Sequence, residues 1–168
     1  MAAIKAESVN KSFGTVKSVK DLDLVVEAGE IRALLGPNGS GKSTTMKILM
    51  GILKPDSGKL SVYDVDVKEK PVDARRMIGY VPETPHLYEY LTAAEYLDFI
   101  GVSYNIEPEV RRQRVQELFQ ALQMEEHVNE VMSSFSQGMK QKIAITAALL
   151  HGPRVLILDE PLNGLDPR

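Results

Sequence analysis

The sequence predicts an α/β fold built on a mainly parallel sheet, and three observations carry that reading. Short apolar runs alternate with segments of helical period, a glycine-rich loop joins one such run to a helix, and a late apolar run ends in two adjacent carboxylates. Residues 4–9, 22–26 and 31–35 read as strands, with Glu27, Ala28 and Gly29 as a turn between the last two. After residue 35 the glycine-rich turn runs into a helix over residues 43–50, where Met46, Leu49 and Met50 share a face. Pro55 to Gly58 form a turn, followed by short strands over 60–62 and 78–81.

From Thr92 the pattern becomes helical. Thr92 and Glu95 have the spacing of a capping box, and Tyr96, Leu97 and Ile100 supply an apolar face. Pro108 suits the first turn of another helix, along which Val115, Leu118, Phe119 and Leu122 recur at helical spacing. Ser136 precedes a third helix, running to residue 150 and stopped by Gly152 and Pro153. The unbroken apolar run 155–158 has the length of a strand buried on both faces.

The chain's 168 residues, 43% of them hydrophobic and 26% charged, suit a globular protein with one core. Twenty Lys and Arg against 23 Asp and Glu leave a net charge of -3, with no long block of either sign, so bulk nucleic-acid binding is not expected. There are no cysteines for disulfides or thiolate metal sites. His86, His127 and His151 have no ligand-like spacing, and no segment has the apolar length of a membrane span or the character of a signal peptide. Any membrane association is therefore expected to run through a partner.

The chemistry concentrates in two places. Gly36, Pro37, Asn38, Gly39, Ser40, Gly41, Lys42 and Ser43 match the phosphate-binding loop pattern in full, between a predicted strand and a predicted helix, with Thr44 following in the first turn. Gly39 and Gly41 permit backbone conformations that let successive N–H groups converge on phosphate oxygens at the positive end of the helix. Lys42 is expected to reach the β and γ phosphates of ATP, and Ser43 to place its hydroxyl on Mg²⁺. The plainer alternative, a glycine-rich turn that happens to hold Lys and Ser, leaves its position between strand and helix unexplained.

The second place is the end of the apolar run, Asp159 and Glu160. Beside a phosphate loop, Asp159 can hold Mg²⁺ and Glu160 can polarise the attacking water as general base. The alternative is that both acids only solvate a strand end.

On these motifs the chain resembles the ATP-binding cassette ATPases along essentially its whole length. Ser134, Phe135, Ser136, Gln137, Gly138, Met139, Lys140 and Gln141 look like that family's signature loop, usually Leu-Ser-Gly-Gly-Gln, with Ser136 and Gly138 retained and Phe135, Gln137 and Met139 departing from it. The resemblance implies that Ser136 and the start of its helix contact the γ-phosphate held by a second subunit; otherwise Ser136 is an ordinary N-cap. It also implies a D-loop at residues 162–166 with Asp166 at the dimer interface. Phe13 would occupy the position that stacks on adenine, the alternative being a core residue. Glu83 stands where the family commonly has Gln, and a carboxylate there needs Mg²⁺ or water between itself and the γ-phosphate.

The family fold is a P-loop NTPase core with an antiparallel β subdomain on its N-terminal side and a helical subdomain, here about residues 84–140, and the chain would form one nucleotide-binding domain over 1–168. Glu83, the segment after it and the Phe-Ser-Gln-Gly-Met-Lys variant are similar to bacterial exporter ATPases of the Ecs-like or ABC-2 kind. The resemblance implies ATP hydrolysis at a head-to-tail dimer interface with a second such domain. A transmembrane permease subunit would hold the ATPase on the inner face of the cell membrane, docking on residues 83–104. A soluble cassette ATPase acting on DNA or ribosomes, or a regulatory module without turnover, are the rival readings, and Glu160 argues against the second. The sequence ends just after the D-loop-like segment, which predicts a sheet lacking its last core strands and the switch His, with exposed edges and weak activity.

Overall fold

The computed structural model describes residues 1–160. Its contacts divide the chain into two compact units, Met1–Ile78 and a second beginning at Gly79.

The first unit is built on a long hairpin, β1 (Ala2–Phe13) and β2 (Val16–Glu27), antiparallel throughout. With β3 (Ser57–Val62) and β4 (Val65–Asp66) it forms an antiparallel sheet in the order β2-β1-β3-β4. Apolar pairs face each other across β1 and β3, Ile4 opposite Val62 and Ala6 opposite Leu60, all four buried. Burial of the Ile4, Val62 and Leu60 side chains contributes about 1.5–3 kcal/mol each. Both strands of the hairpin are longer than the apolar runs 4–9 and 22–26 imply, because register shifts break the alternation along β1. Ser8 and Asp21 take positive φ there, and side chains staple the irregular stretch: Ser8 N–H donates to Asp23 Oδ1 over 2.7 Å, and Asn10 and Asp21 bond reciprocally at 3.0 Å.

Helix α1 (Lys42–Leu49) buries Thr45, Ile48 and Leu49. Helix α2 (Pro71–Arg76) begins on a proline, whose missing N–H costs nothing at that position, and buries Ala74. Neither β4 nor α2 is anticipated by the sequence reading.

The strand expected over residues 31–35 does not form. Ile31 is 97% exposed and Leu35 89%, and no described strand pairs with them. A strand exists through its ladder, so an apolar run without a neighbour has nothing to bond to or bury against.

Strand β5 (Ile78–Val81) leads into the second unit and pairs with β6 (Val155–Leu158). Between them lie α3 (Ala93–Ser103), α4 (Pro108–Leu122) and α5 (Gln137–Leu150), with single 3-10 turns at Glu125–His127 and Met132–Ser134. Their core is Tyr96 and Leu97 of α3, Phe119 of α4, Ile143 and Leu150 of α5, and Met124, Met132 and Phe135 between them. The sequence-derived starts of all three helices are met. Thr92 and Glu95 form both bonds of the capping box, Pro108 opens α4, and Ser136 caps α5. In β6, by contrast, only Ile157 is buried while Leu156 and Leu158 are exposed, so the strand is not covered on both faces as its composition suggests. No described helix is long and apolar enough to cross a membrane.

Candidate functional site

In the first unit the glycine-rich loop turns on two residues with positive φ, Gly39 at 81° and Gly41 at 89°. Gly41 is the N-cap of α1 and therefore gives it no side-chain cap, so first-turn N–H groups have no capping acceptor from that side chain. A Cβ at Gly41 would collide with the Ser18 carbonyl oxygen of β2, which fixes the residue as glycine by space as well as by conformation. Ser18 also donates its hydroxyl to Thr44 Oγ1 over 2.9 Å, tying β2 to the start of α1. Nothing in its sequence context marks Ser18 as a support of the loop.

Lys42 bends its ammonium back over the loop, donating to the carbonyl oxygens of Gly36 at 2.7 Å and Pro37 at 3.0 Å, while Ser40 N–H closes a turn on Pro37. A cation at the loop and an uncapped helix start make a cradle suited to phosphate. Ser43 is exposed on the first turn of α1.

Phe13, at the end of β1, is 52% exposed, so it is not a core residue. Lys11 Nζ lies 5.6 Å from its ring centroid and pairs with Asp56 Oδ1 at 2.7 Å. Asp56 Oδ2 also accepts from Ser12 N–H at 2.7 Å, and these bonds hold its carboxyl below its ordinary pKa. The ring is thus presented by a tethered strand end, available for stacking.

In the second unit the acids lie at one end of the β5–β6 pair. Asp159 N–H donates to Val81 O over 2.9 Å, which ties the end of β6 to the end of β5, two residues before Glu83. Tyr80 responds to both carboxylates: burial first, then the charges of Asp159 and Glu83, push its hydroxyl above its ordinary pKa. Glu160 is exposed and takes φ 46°, an uncommon conformation for a residue with a Cβ, which turns the chain out of the strand.

At α5, Ser136 Oγ accepts from Met139 N–H at 3.3 Å. The N-cap role is therefore real, and Gln137 and Gly138 in the first turn lack intrahelical acceptors for their N–H groups. Residues 162–166, including Asp166, lie outside the described residues.

Set beside known proteins, residues 19–163 match the family model described as ABC transporter. The chain belongs to the ABC transporter family. Among solved structures of the family, an ATP-binding subunit of an ABC transporter superposes with a TM-score of 0.91 at 35% identity, over 98% of this chain and 69% of that one. The cassette MJ0796, in a dimeric post-hydrolysis state bound to ADP and Pi, aligns with a TM-score of 0.86 at 28% identity, over 97% of this chain and 76% of that one. The fold is thus that of the ABC ATPase cassettes. The bacitracin transport ATP-binding protein BcrA of Bacillus licheniformis is 37% identical over 98% of this chain and 53% of its own length. The chain spans about half the length of the curated relatives it matches.

Proposed function

We propose that this chain is the nucleotide-binding part of an ABC transporter ATPase, in which the Gly36–Ser43 loop binds ATP and the Asp159–Glu160 edge hydrolyses it. The observation that carries the reading is the loop itself, with Gly41 packed against Ser18, an uncapped α1 and the Lys42 ammonium folded over the Gly36 and Pro37 carbonyls. On binding, the β and γ phosphates take over those contacts of Lys42 and accept from the first-turn N–H groups. Phe13 stacks on the adenine.

The oxygen donors suit Mg²⁺ as partners of a phosphate-bound ion. Among the described residues no cluster of three or more acids or histidines forms an all-protein cage, and Mg²⁺ prefers one or two carboxylates with phosphates and waters. Ser43 and Asp159 would hold it, with Glu83 nearby through water, and it supplies charge neutralisation on the phosphate oxygens. Glu160 then accepts the proton of the attacking water as general base.

Residues 1–168 act in this reading as one nucleotide-binding domain with a helical part at about 84–140. Two such domains pair head to tail, Ser136 and Gly138 of one, with Asp166, meeting the γ-phosphate held by the other. The dimeric, ADP- and Pi-bound cassette among the structural neighbours supports that arrangement. The name of one relative, a bacitracin transport ATP-binding protein, supports coupling to transport; a permease at the inner face of the membrane and export as the direction complete the reading.

In the full-length protein, Glu160→Gln should retain ATP affinity and slow phosphate release by about 10²- to 10⁴-fold. Turnover close to wild type would remove Glu160 from the catalytic role.

A further inference from the structure

One buried polar side chain has no place in the scheme so far. Gln141, five residues beyond the Ser136 cap on α5, is fully buried. Its Nε2 donates to Pro82 O over 3.5 Å, at the outer limit of a hydrogen bond, and its Oε1 is buried and accepts from no donor among the described residues. The carbonyl of Pro82 can only accept, so the amide must present its nitrogen there. A Met or Leu would fill the same space without desolvating an amide, which makes the directional contact the reason for glutamine.

Two further contacts join the same segments. Lys140 Nζ pairs with Glu89 Oε1 at 2.8 Å, with the lysine side chain 17% exposed, and Val81 packs against Ala144 and Ala148 of α5. On its other side Val81 accepts from Asp159. The segment leading to Glu83 is thus held between β6 and α5.

We propose that Gln141 is a positioning residue that latches the Glu83 loop to α5, so that Glu83 and Ser136 move as one body. This rests on the hydrolysis reading above. In that reading Glu83 serves the nucleotide of its own subunit and Ser136 the nucleotide of the partner, so the latch links the two ATP sites through one helix.

The test uses the full-length protein with Gln141→Met and Gln141→Leu, both close in volume and lacking the amide. Hydrogen exchange at residues 83–87 should quicken by about tenfold and kcat fall by about tenfold, since small misplacements near a reacting centre slow chemistry. ATP affinity should stay within about twofold and the melting temperature should not drop, because an under-satisfied polar group has been removed. Unchanged exchange in the loop, or a fall in kcat matched by loss of affinity and of melting temperature, would overturn the latch. If the wild type itself releases no phosphate, the hydrolysis reading fails, and the exchange rates alone decide the latch, faster supporting it and unchanged overturning it.

Discussion

Asp159 and Val81 are joined by a backbone hydrogen bond of 2.9 Å, from the N–H of the first to the carbonyl of the second. That bond carries the β5–β6 pairing past the end of β6 and ties Asp159, the proposed Mg²⁺-holding acid, to the segment leading to Glu83. Fixed this way, the acid needs no side-chain support to hold its place, because the backbone bond positions its Cα.

Tyr80 offers a direct readout of this edge. Burial and the Asp159 and Glu83 charges all disfavour its ionised form, burial most strongly. Asp159→Asn should therefore lower the Tyr80 pKa part of the way back toward its ordinary value, followed by NMR of the ring signals through alkaline titration. An unmoved titration would place Asp159 too far from the phenol to act on it.

Phe13→Ala should weaken ATP binding by an amount equal to losing about 0.5–1.5 kcal/mol of aromatic stacking. Because the ring is half exposed, the melting temperature should stay close to wild type, and calorimetry with thermal melting separates the two effects. A large drop in melting with unchanged affinity would return Phe13 to a structural role.

The cap of α3 carries a stability prediction with a pH sign. Thr92 N–H donates to Glu95 Oε2 at 2.8 Å and Glu95 N–H to Thr92 Oγ1 at 3.2 Å, so Thr92→Ala should cost about 1 kcal/mol in denaturant melts. The bonds from Thr92 hold the Glu95 carboxyl below its ordinary value of 4.5. A depressed folded-state pKa gives stability that is present above the unfolded value and lost as pH falls through the folded one. Acid melts of wild type and Glu95→Gln should therefore converge below that range and separate above it.

How much of this was legible in the sequence depends on whether the signal is local. The starts of α3, α4 and α5 were, because Thr92, Pro108 and Ser136 act on backbone groups within three residues of themselves. The glycine-rich turn before α1 was legible because Gly39 and Gly41 meet a conformational demand that glycine satisfies best. The run 31–35 forms no strand despite its pattern, because an apolar pattern reports suitability for a strand and says nothing of a neighbour to pair with. The exposure of Leu156 and Leu158 escaped for the same reason. The contacts of Ser18, Lys140 and Gln141 escaped, although the last two lie in the signature-like stretch: their partners are 26, 51 and 59 positions away, a distance at which spacing holds no information.

Proposed ATP recognition rests on Lys42 and the loop it folds over. The most direct measurement is calorimetric titration of ATP with Mg²⁺ into the full-length protein and its Lys42→Ala variant, with circular dichroism to confirm the fold. Saturable binding by the wild type is expected, with the variant losing one charge-assisted contact, about 1.5–3 kcal/mol or at least tenfold in affinity. Equal affinity in two well-folded proteins would contradict it.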